Sequence, residues 1–269
     1  MTLELPHYRI YGDGETTLFV LHGAYGDGRY FEDFASHVAD TGYRVVVWDC
    51  PGYGTSPAVE PATIERFAEA AQAMIRNEAT SRNFLLGHSM GALIGPYLAN
   101  REPLIDGLIL SAGSRGFAAR TPEDQKRYME ERLAPIENGM SVKAYATPLI
   151  TSMMAKGASG PLVDKVFDVV LSMKTETFAT SIRAIGSYDG RPALQELKTP
   201  TLMIAGREDP ACTADGMKLM HEMVEGSEFH VIEGAGHYAF AEKPEEYRGL
   251  VLDFLKAQTA AEREEAAEQ

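Results

Sequence analysis

The sequence predicts an α/β fold: a mostly parallel central sheet with helices on both faces and an inserted helical cap. Three observations carry that expectation. Short apolar runs of strand length alternate with helical stretches from Leu18 to Ser111 and again from Pro200 onward. Between about Gly113 and Gly190 the alternation stops, and the chain becomes helical in character, rich in methionine and broken by Pro122, Pro135, Pro148 and Pro161. The stretch Asn83 to Gly91, NFLLGHSMG, then runs a buried strand straight into a helix through G-x-S-x-G.

Taken in order, Tyr8-Arg9-Ile10-Tyr11 reads as an edge strand closed by the turn Gly12-Asp13-Gly14. Leu18-Phe19-Val20-Leu21 is a buried strand that exits into His22-Gly23-Ala24-Tyr25-Gly26. A helix around Tyr30 to Ala39 precedes the strand Tyr43 to Trp48, which ends in the Gly- and Pro-rich loop 49–56. Thr63 caps a helix reaching about Asn77, with Ile64, Phe67, Ala71, Met74 and Ile75 on one face. The strand Phe84-Leu85-Leu86, the helix Ala92 to Asn100 and the strand Gly107 to Ser111 follow. After the cap come a strand at Leu202 to Ala205, a helix at about Asp215 to Val224 and a strand at Glu228 to Ile232. Pro244 opens a last helix to about Ala257, and the last residues, TAAEREEAAEQ, read as solvated helix or frayed tail. The domain expectation is a core of residues 1–112 and 191–257, a cap of 113–190 and a solvated C-terminal tail of 258–269.

Composition narrows the function classes. A net charge of −14 without a basic stripe argues against nucleic acid as a partner. No apolar run approaches the roughly 20 residues needed to cross a bilayer, so no membrane partner is expected. The first ten residues, MTLELPHYRI, lack the basic start and apolar core of a signal peptide. Cys50 and Cys212 are far apart in sequence and read as reduced thiols in a cytoplasmic protein. No His, Cys or Asp cluster has metal-ligand spacing, so neither metal nor cofactor is expected. The expected partner is a small-molecule substrate; self-association into a homodimer stays open.

Function in a parallel sheet gathers outside the carboxyl ends of the strands. Four stretches fall there: His22-Gly23, Ser89, Asp209 and His237. In the strand-turn-helix around Ser89, glycines on either side permit a turn too tight for side chains and push the serine out above the sheet. A serine hydroxyl needs a base to become a nucleophile, imidazole exchanges protons near neutral pH, and a carboxylate orients the imidazole.

The motifs HGAYG (22–26), DCPGYGTS (49–56), GHSMG (87–91), GREDP (206–210) and GAGH (234–237) together resemble the α/β-hydrolase superfamily from Leu18 to about Leu255. The order Ser, Asp, His along the chain matches that family too. The resemblance implies Ser89 as nucleophile, His237 as general base and acid, and Asp209 as its orienting carboxylate, with Glu208 and Asp215 as fallback acids. It implies an oxyanion hole from the backbone amides of Met90 and Ala24. Tyr25, Arg183 and Tyr238 are the candidate substrate-binding residues. His22 is expected to shape the oxyanion loop, His88 to be structural, and Asp49 and Ser56 to hold a loop. Two departures stand out: few residues precede the first central strand, and Ala92 stands where many relatives carry glycine.

Among capped members the sequence is most similar to 3-oxoadipate enol-lactonases, carboxylesterases and the hydrolases that split carbon–carbon bonds of ring-cleavage products. A serine rather than an aspartate at the elbow argues against epoxide hydrolases and haloalkane dehalogenases. HGAYG and GHSMG lean towards hydrolysis of an ester or lactone of a small carboxylic acid. Carbon–carbon hydrolysis of a vinylogous diketone is the alternative. A ligand receptor of the same fold, inert or slowly turning over, is a second alternative.

Overall fold

The computed structural model describes residues 4–118 and 120–267, with side chains as far as residue 260. Residues 1–3 of the expected core, Ala119 of the expected cap and residues 268–269 of the expected tail lie outside the described residues. Seven strands form one sheet: β1 (Tyr8–Tyr11), β2 (Thr16–Leu21), β3 (Arg44–Trp48), β4 (Arg82–His88), β5 (Gly107–Ser111), β6 (Thr201–Gly206) and β7 (Glu228–Ile232). Their spatial order is β1-β3-β2-β4-β5-β6-β7. Only β1 runs antiparallel, pairing Tyr8 with Trp48 and Tyr11 with Val45 at the edge. Apart from the first residues of β3 and β4, Arg44 and Arg82, strands β3 to β6 are buried, as Val-, Leu- and Phe-rich runs must be when helices cover both faces.

Helices α1 (Glu32–Ala39), α2 (Ile64–Glu78) and α3 (Met90–Ala99) follow β2, β3 and β4. Going from β2 to β3 the chain moves one way across the sheet; from β3 to β4 and from β4 to β5 it moves the other way. Right-handed crossovers therefore put α1 on one face and α2 and α3 on the opposite face. The reversal makes the boundary between β2 and β4 the switch point of the sheet, where a crevice opens beyond the strand ends. The two strands are in register from Thr16 opposite Arg82 to Leu21 opposite Gly87, so their exit loops emerge side by side. That places His22 to Gly26 against Ser89.

Helices α4 (Pro122–Glu137), α5 (Val142–Met153), α6 (Pro161–Leu171) and α7 (Thr175–Gly186) form the inserted cap, and α8 (Arg191–Glu196) leads back to the sheet. Gly116 and Asp189 pair in an antiparallel bridge at the neck of the insertion. Thr121 and Ser141 side chains cap the first two of these helices by accepting from Asp124 and Ala144 amides, so the Pro-rich segment still starts cleanly. Helices α9 (Ala214–His221), α10 (Ala239–Glu242) and α11 (Pro244–Ala267) complete the chain. No described helix is long and apolar enough to cross a membrane.

Among the differences from the sequence expectation, three have a plain local cause. The helix after Ser89 starts at Met90 rather than Ala92, because the reversal is confined to the serine itself. Helix α10 was not anticipated; four residues are too few to show a periodicity. Helix α11 runs on past Ala257 to Ala267, the solvated helix rather than the frayed tail of the two forms expected there, since the run AEREEAA contains strong helix formers and no glycine or proline.

Candidate active site

The elbow is held open by sterics. Ser89 has φ 55° and ψ −108°, a left-handed backbone that side-chain-bearing residues rarely adopt. A Cβ on Gly87 would lie 2.2 Å from the Gly91 carbonyl oxygen, and one on Gly91 would lie 2.3 Å from the Leu21 carbonyl oxygen. Both positions must be glycine for β4 to turn into α3 at this distance from β2. The Ser89 amide donates to the Ser111 carbonyl at 2.9 Å, tying the turn to the neighbouring strand. Gly23 permits a similar approach from β2, since a Cβ there would meet the Ser89 Cβ at 2.9 Å.

Asp209 follows β6 and His237 follows β7. The His237 Nδ1–H donates to Asp209 Oδ2 at 2.7 Å, leaving Nε2 as the proton-accepting nitrogen. Asp209 Oδ1 accepts from the amides of Ala211 at 2.8 Å and Cys212 at 2.9 Å. Burial pushes this carboxyl up, but His237 and the two amides outweigh burial and hold it below its ordinary value. Glu208, the neighbouring fallback, accepts instead from the Lys156 amide of the cap at 2.9 Å. Asp215 lies in the first turn of α9, away from this pair.

Two histidines stand behind the pair in neutral form. His88 lies with its ring centroid 5.0 Å from that of His237. Burial above all, then His237 and His22, lowers its pKa well below the ordinary value, so it packs against the imidazole without adding charge. His22, kept neutral by burial, donates from Nδ1 to the Gly23 carbonyl at 2.7 Å and accepts the Cys50 amide on Nε2 at 2.9 Å. It thereby pins the loop that carries Ala24. The Tyr30 hydroxyl accepts the Gly23 amide at 2.8 Å and the Tyr53 hydroxyl donates to the Ala24 carbonyl at 2.9 Å. Asp49 holds the next loop, accepting from Arg9 at 3.0 Å and the Gly28 amide at 3.1 Å, while Ser56 Oγ donates to the Asp49 carbonyl at 2.6 Å.

Ser89, His237, Ala24 and Met90 line one cleft, whose cap side is formed by Phe117, Tyr128, Arg132, Met153 and Ile185. Met90 lines this cleft and is the first residue of α3, so its amide has no partner within the helix. Tyr25 also lines the cavity. Arg183 does not: it pairs with Glu137 at 2.9 Å, both side chains more than half exposed. The cap arginine in the wall is Arg132 instead. Sequence alone could not choose between them, because which face of a cap helix looks down depends on how the cap sits on the sheet. Tyr238 is fully buried beside His237, its ring at 83° to the imidazole, and stays out of the cavity wall; it packs behind the imidazole rather than toward a substrate.

Two further residues had no sequence signal. Glu242 on α10 accepts from the Gly236 and Tyr238 amides, both at 3.0 Å, and from the Ala155 amide of the cap at 2.7 Å. It thus holds the amides of the residues on either side of His237, whose own amide donates to the Met153 carbonyl of the cap at 2.8 Å. Cys212 joins Asp209 and His237 in a group whose potential ligand atoms lie within 4.8 Å of one another. The spacing argument missed this cluster because it forms through the fold. Zinc bonds of about 2.0–2.1 Å in a tetrahedron would separate two N/O ligands by roughly 3.3 Å. The Asp209–His237 contact is much shorter, at 2.7 Å, and fits a shared proton better than a shared ion. Burial pushes the Cys212 thiol well above its ordinary value, so it stays protonated.

Residues 16–244 match the family of the alpha/beta hydrolase fold. The chain belongs to the α/β-hydrolase family. A 2-hydroxy-6-oxononadienedioate/2-hydroxy-6-oxononatrienedioate hydrolase from Klebsiella pneumoniae is 25% identical over 266 aligned residues, covering 93% of this chain and 90% of the relative. An esterase from Exiguobacterium antarcticum superposes with a TM-score of 0.83 at 23% identity, over 93% of this chain and 95% of that one. The enol-lactonase from Burkholderia xenovorans superposes with a TM-score of 0.82 at 22% identity, over 93% and 96%. This α/β-hydrolase is therefore an enzyme of the hydrolase class, similar to esterases, an enol-lactonase and carbon–carbon hydrolases.

Proposed function

We propose that this α/β-hydrolase is a serine hydrolase that cleaves an ester or lactone of a small carboxylic acid through an acyl-enzyme. The observation that carries the reading is the Asp209–His237 hydrogen bond of 2.7 Å at a cavity whose wall also holds Ser89 on its strained elbow. In this reading His237 Nε2 removes the Ser89 hydroxyl proton as Oγ bonds to the carbonyl carbon. The carbonyl π electrons move onto oxygen, where the Met90 and Ala24 amides receive the negative charge. Collapse breaks the bond to the leaving oxygen, which takes the proton from His237 and departs as an alcohol, or stays attached in a lactone. Water repeats the sequence on the acyl-enzyme and releases the acid and Ser89. Asp209 holds the imidazole tautomer throughout.

The mixed lining, apolar at Leu93, Phe117, Tyr128 and Ile185 and polar at Ser89 and His237, suits a small-molecule substrate. The segment 113–190 supplies the cap over it, while 1–112 and 191–257 supply the catalytic platform. A fluorophosphonate probe is expected to add one covalent adduct to the intact protein, mapped to Ser89. Ser89→Ala is expected to lose both the adduct and ester hydrolysis. Hydrolysis at the wild-type rate by that variant would overturn the reading.

Carbon–carbon hydrolysis is a second reading, favoured by the 25% identity over nearly the full chain to the dienedioate hydrolase. Turnover of a vinylogous diketone at a kcat/KM well above that for acyl esters would select it over the ester reading. Binding of either compound without turnover, by a protein that forms no adduct, would instead mark a receptor.

A further inference from the structure

We propose that Arg132 forms a carboxylate-binding subsite in the catalytic cavity, so that the preferred substrate carries a free carboxylate besides its scissile carbonyl. This rests on the hydrolase reading above and names its substrate class. Helix α4 delivers Arg132 into the wall that also contains Ser89 and His237. The guanidinium carbon sits 4.1 Å from the centre of the Tyr128 ring, and Tyr25 lines the same cavity. Only 22% of the side chain is exposed.

The charge is poorly matched from within. Among the described residues, the carboxylate nearest Arg132 is Glu131 at 3.7 Å, on a side chain 61% exposed. A contact of that length and exposure contributes little. Shortage of acid is not the reason, since the chain has 39 acidic residues for 25 basic ones. Arg183, Arg191, Arg29 and Arg207 each reach a carboxylate within 3.0 Å. The cavity's own buried carboxylate, Asp209, is occupied by His237 and two amides. Holding a guanidinium in a confined cavity without a close counter-ion costs free energy that a tyrosine face only partly offsets. A bound carboxylate would offset the remainder through paired N–H···O bonds.

The surroundings favour the same ligand. A second pocket adjoins the cavity, sharing Ser114, Ala211 and Cys212, and brings Arg115 and Arg120 into its lining, where Arg191 is already paired with Asp189. On a protein of net charge −14 this is a local reversal of sign on the approach to the site. One guanidinium inside the cavity matches the single charge of a carboxylate rather than a phosphate dianion. Anchored there, the substrate would hold its carbonyl over Ser89 with binding energy taken from a group that does not react.

The test compares kcat/KM for mono-4-nitrophenyl adipate with that for 4-nitrophenyl hexanoate, which matches its chain length without the charge. Wild type is expected to prefer the adipate ester, and Arg132→Met to lower that preference by about 10- to 100-fold. Arg132→Lys is expected to keep part of the preference, and the surface variant Arg183→Ala to keep all of it. Hydrolysis of both esters with no preference, or a preference unmoved in Arg132→Met, would overturn the subsite and leave the hydrolase reading standing. Binding of adipate to the Ser89→Ala protein by calorimetry keeps the two separable. Adipate binding lost in Ser89→Ala/Arg132→Met supports the subsite even if no ester is turned over. Tighter binding of inorganic phosphate than of adipate would overturn the carboxylate assignment.

Discussion

At Asp209 the structure concentrates three hydrogen bonds on one carboxylate, and two of them come from amides only two and three residues away. The local amides fix the carboxylate whether or not His237 is present, which makes it a rigid orienter. Asp209→Asn is expected to fold, yet to lose about 10⁴ in kcat, because an amide supports the wrong imidazole tautomer. If Glu208→Gln proved the damaging change and Asp209→Asn mild, the carboxylate would be misassigned. The lowered pKa also has a stability consequence. A carboxyl whose folded pKa lies below its unfolded value of about 3.9 contributes stability above that value and loses it as pH falls through the folded pKa. The gap in Tm between wild type and Asp209→Asn should therefore be wider at pH 6 than at pH 3. An equal gap at both would remove the linkage.

Among the elements, the short helix α10 matters out of proportion to its length. Its Glu242 receives the amides of Gly236, Tyr238 and Ala155, so one side chain fixes the loop of His237 and docks the cap. Burial raises its pKa, although the same three amides, Ala155 first, and then His237 oppose that shift. Glu242→Gln keeps one acceptor oxygen and is expected to lower kcat severalfold with KM nearly unchanged. Glu242→Ala, which leaves three amides unmatched, is expected to lose more of both kcat and Tm. Equal kcat in wild type, Gln and Ala forms would show that the loop holds itself. Nothing in AFAE marks such a role in sequence: the acid becomes a brace only once the chain reverses after His237. By contrast GHSMG was legible, because its glycines answer a local steric demand that any strand-to-helix turn of this kind makes.

At the scale of the whole molecule, cap and sheet are joined by polar contacts around the cavity. Tyr53, in the loop after β3, donates to the Ala24 carbonyl at 2.9 Å and accepts from Ser181 of α7 at 2.6 Å. Thr177 Oγ of the same helix donates to the Gly52 carbonyl at 2.8 Å. Tyr53→Phe removes the link between the cap and the oxyanion loop while keeping the buried ring. It is expected to reduce kcat by about tenfold, since oxyanion donors act only when held in place, and to leave phosphonate labelling of Ser89 intact but slower. An unchanged kcat would mean that His22 and Tyr30 hold the loop alone. The amino-acid sequence by itself determined the strand and helix rhythm, the elbow and the candidate Ser89, Asp209 and His237, because each rests on local periodicity or on a turn whose geometry a few neighbours dictate. Only the tertiary structure decided that Arg132 rather than Arg183 lines the cavity, that Tyr238 lies behind the imidazole, and that Cys212 and Glu242 stand beside the histidine. Those placements depend on how the cap helices rotate and dock over the strand ends, which contacts distant in the chain decide and no short stretch of sequence encodes.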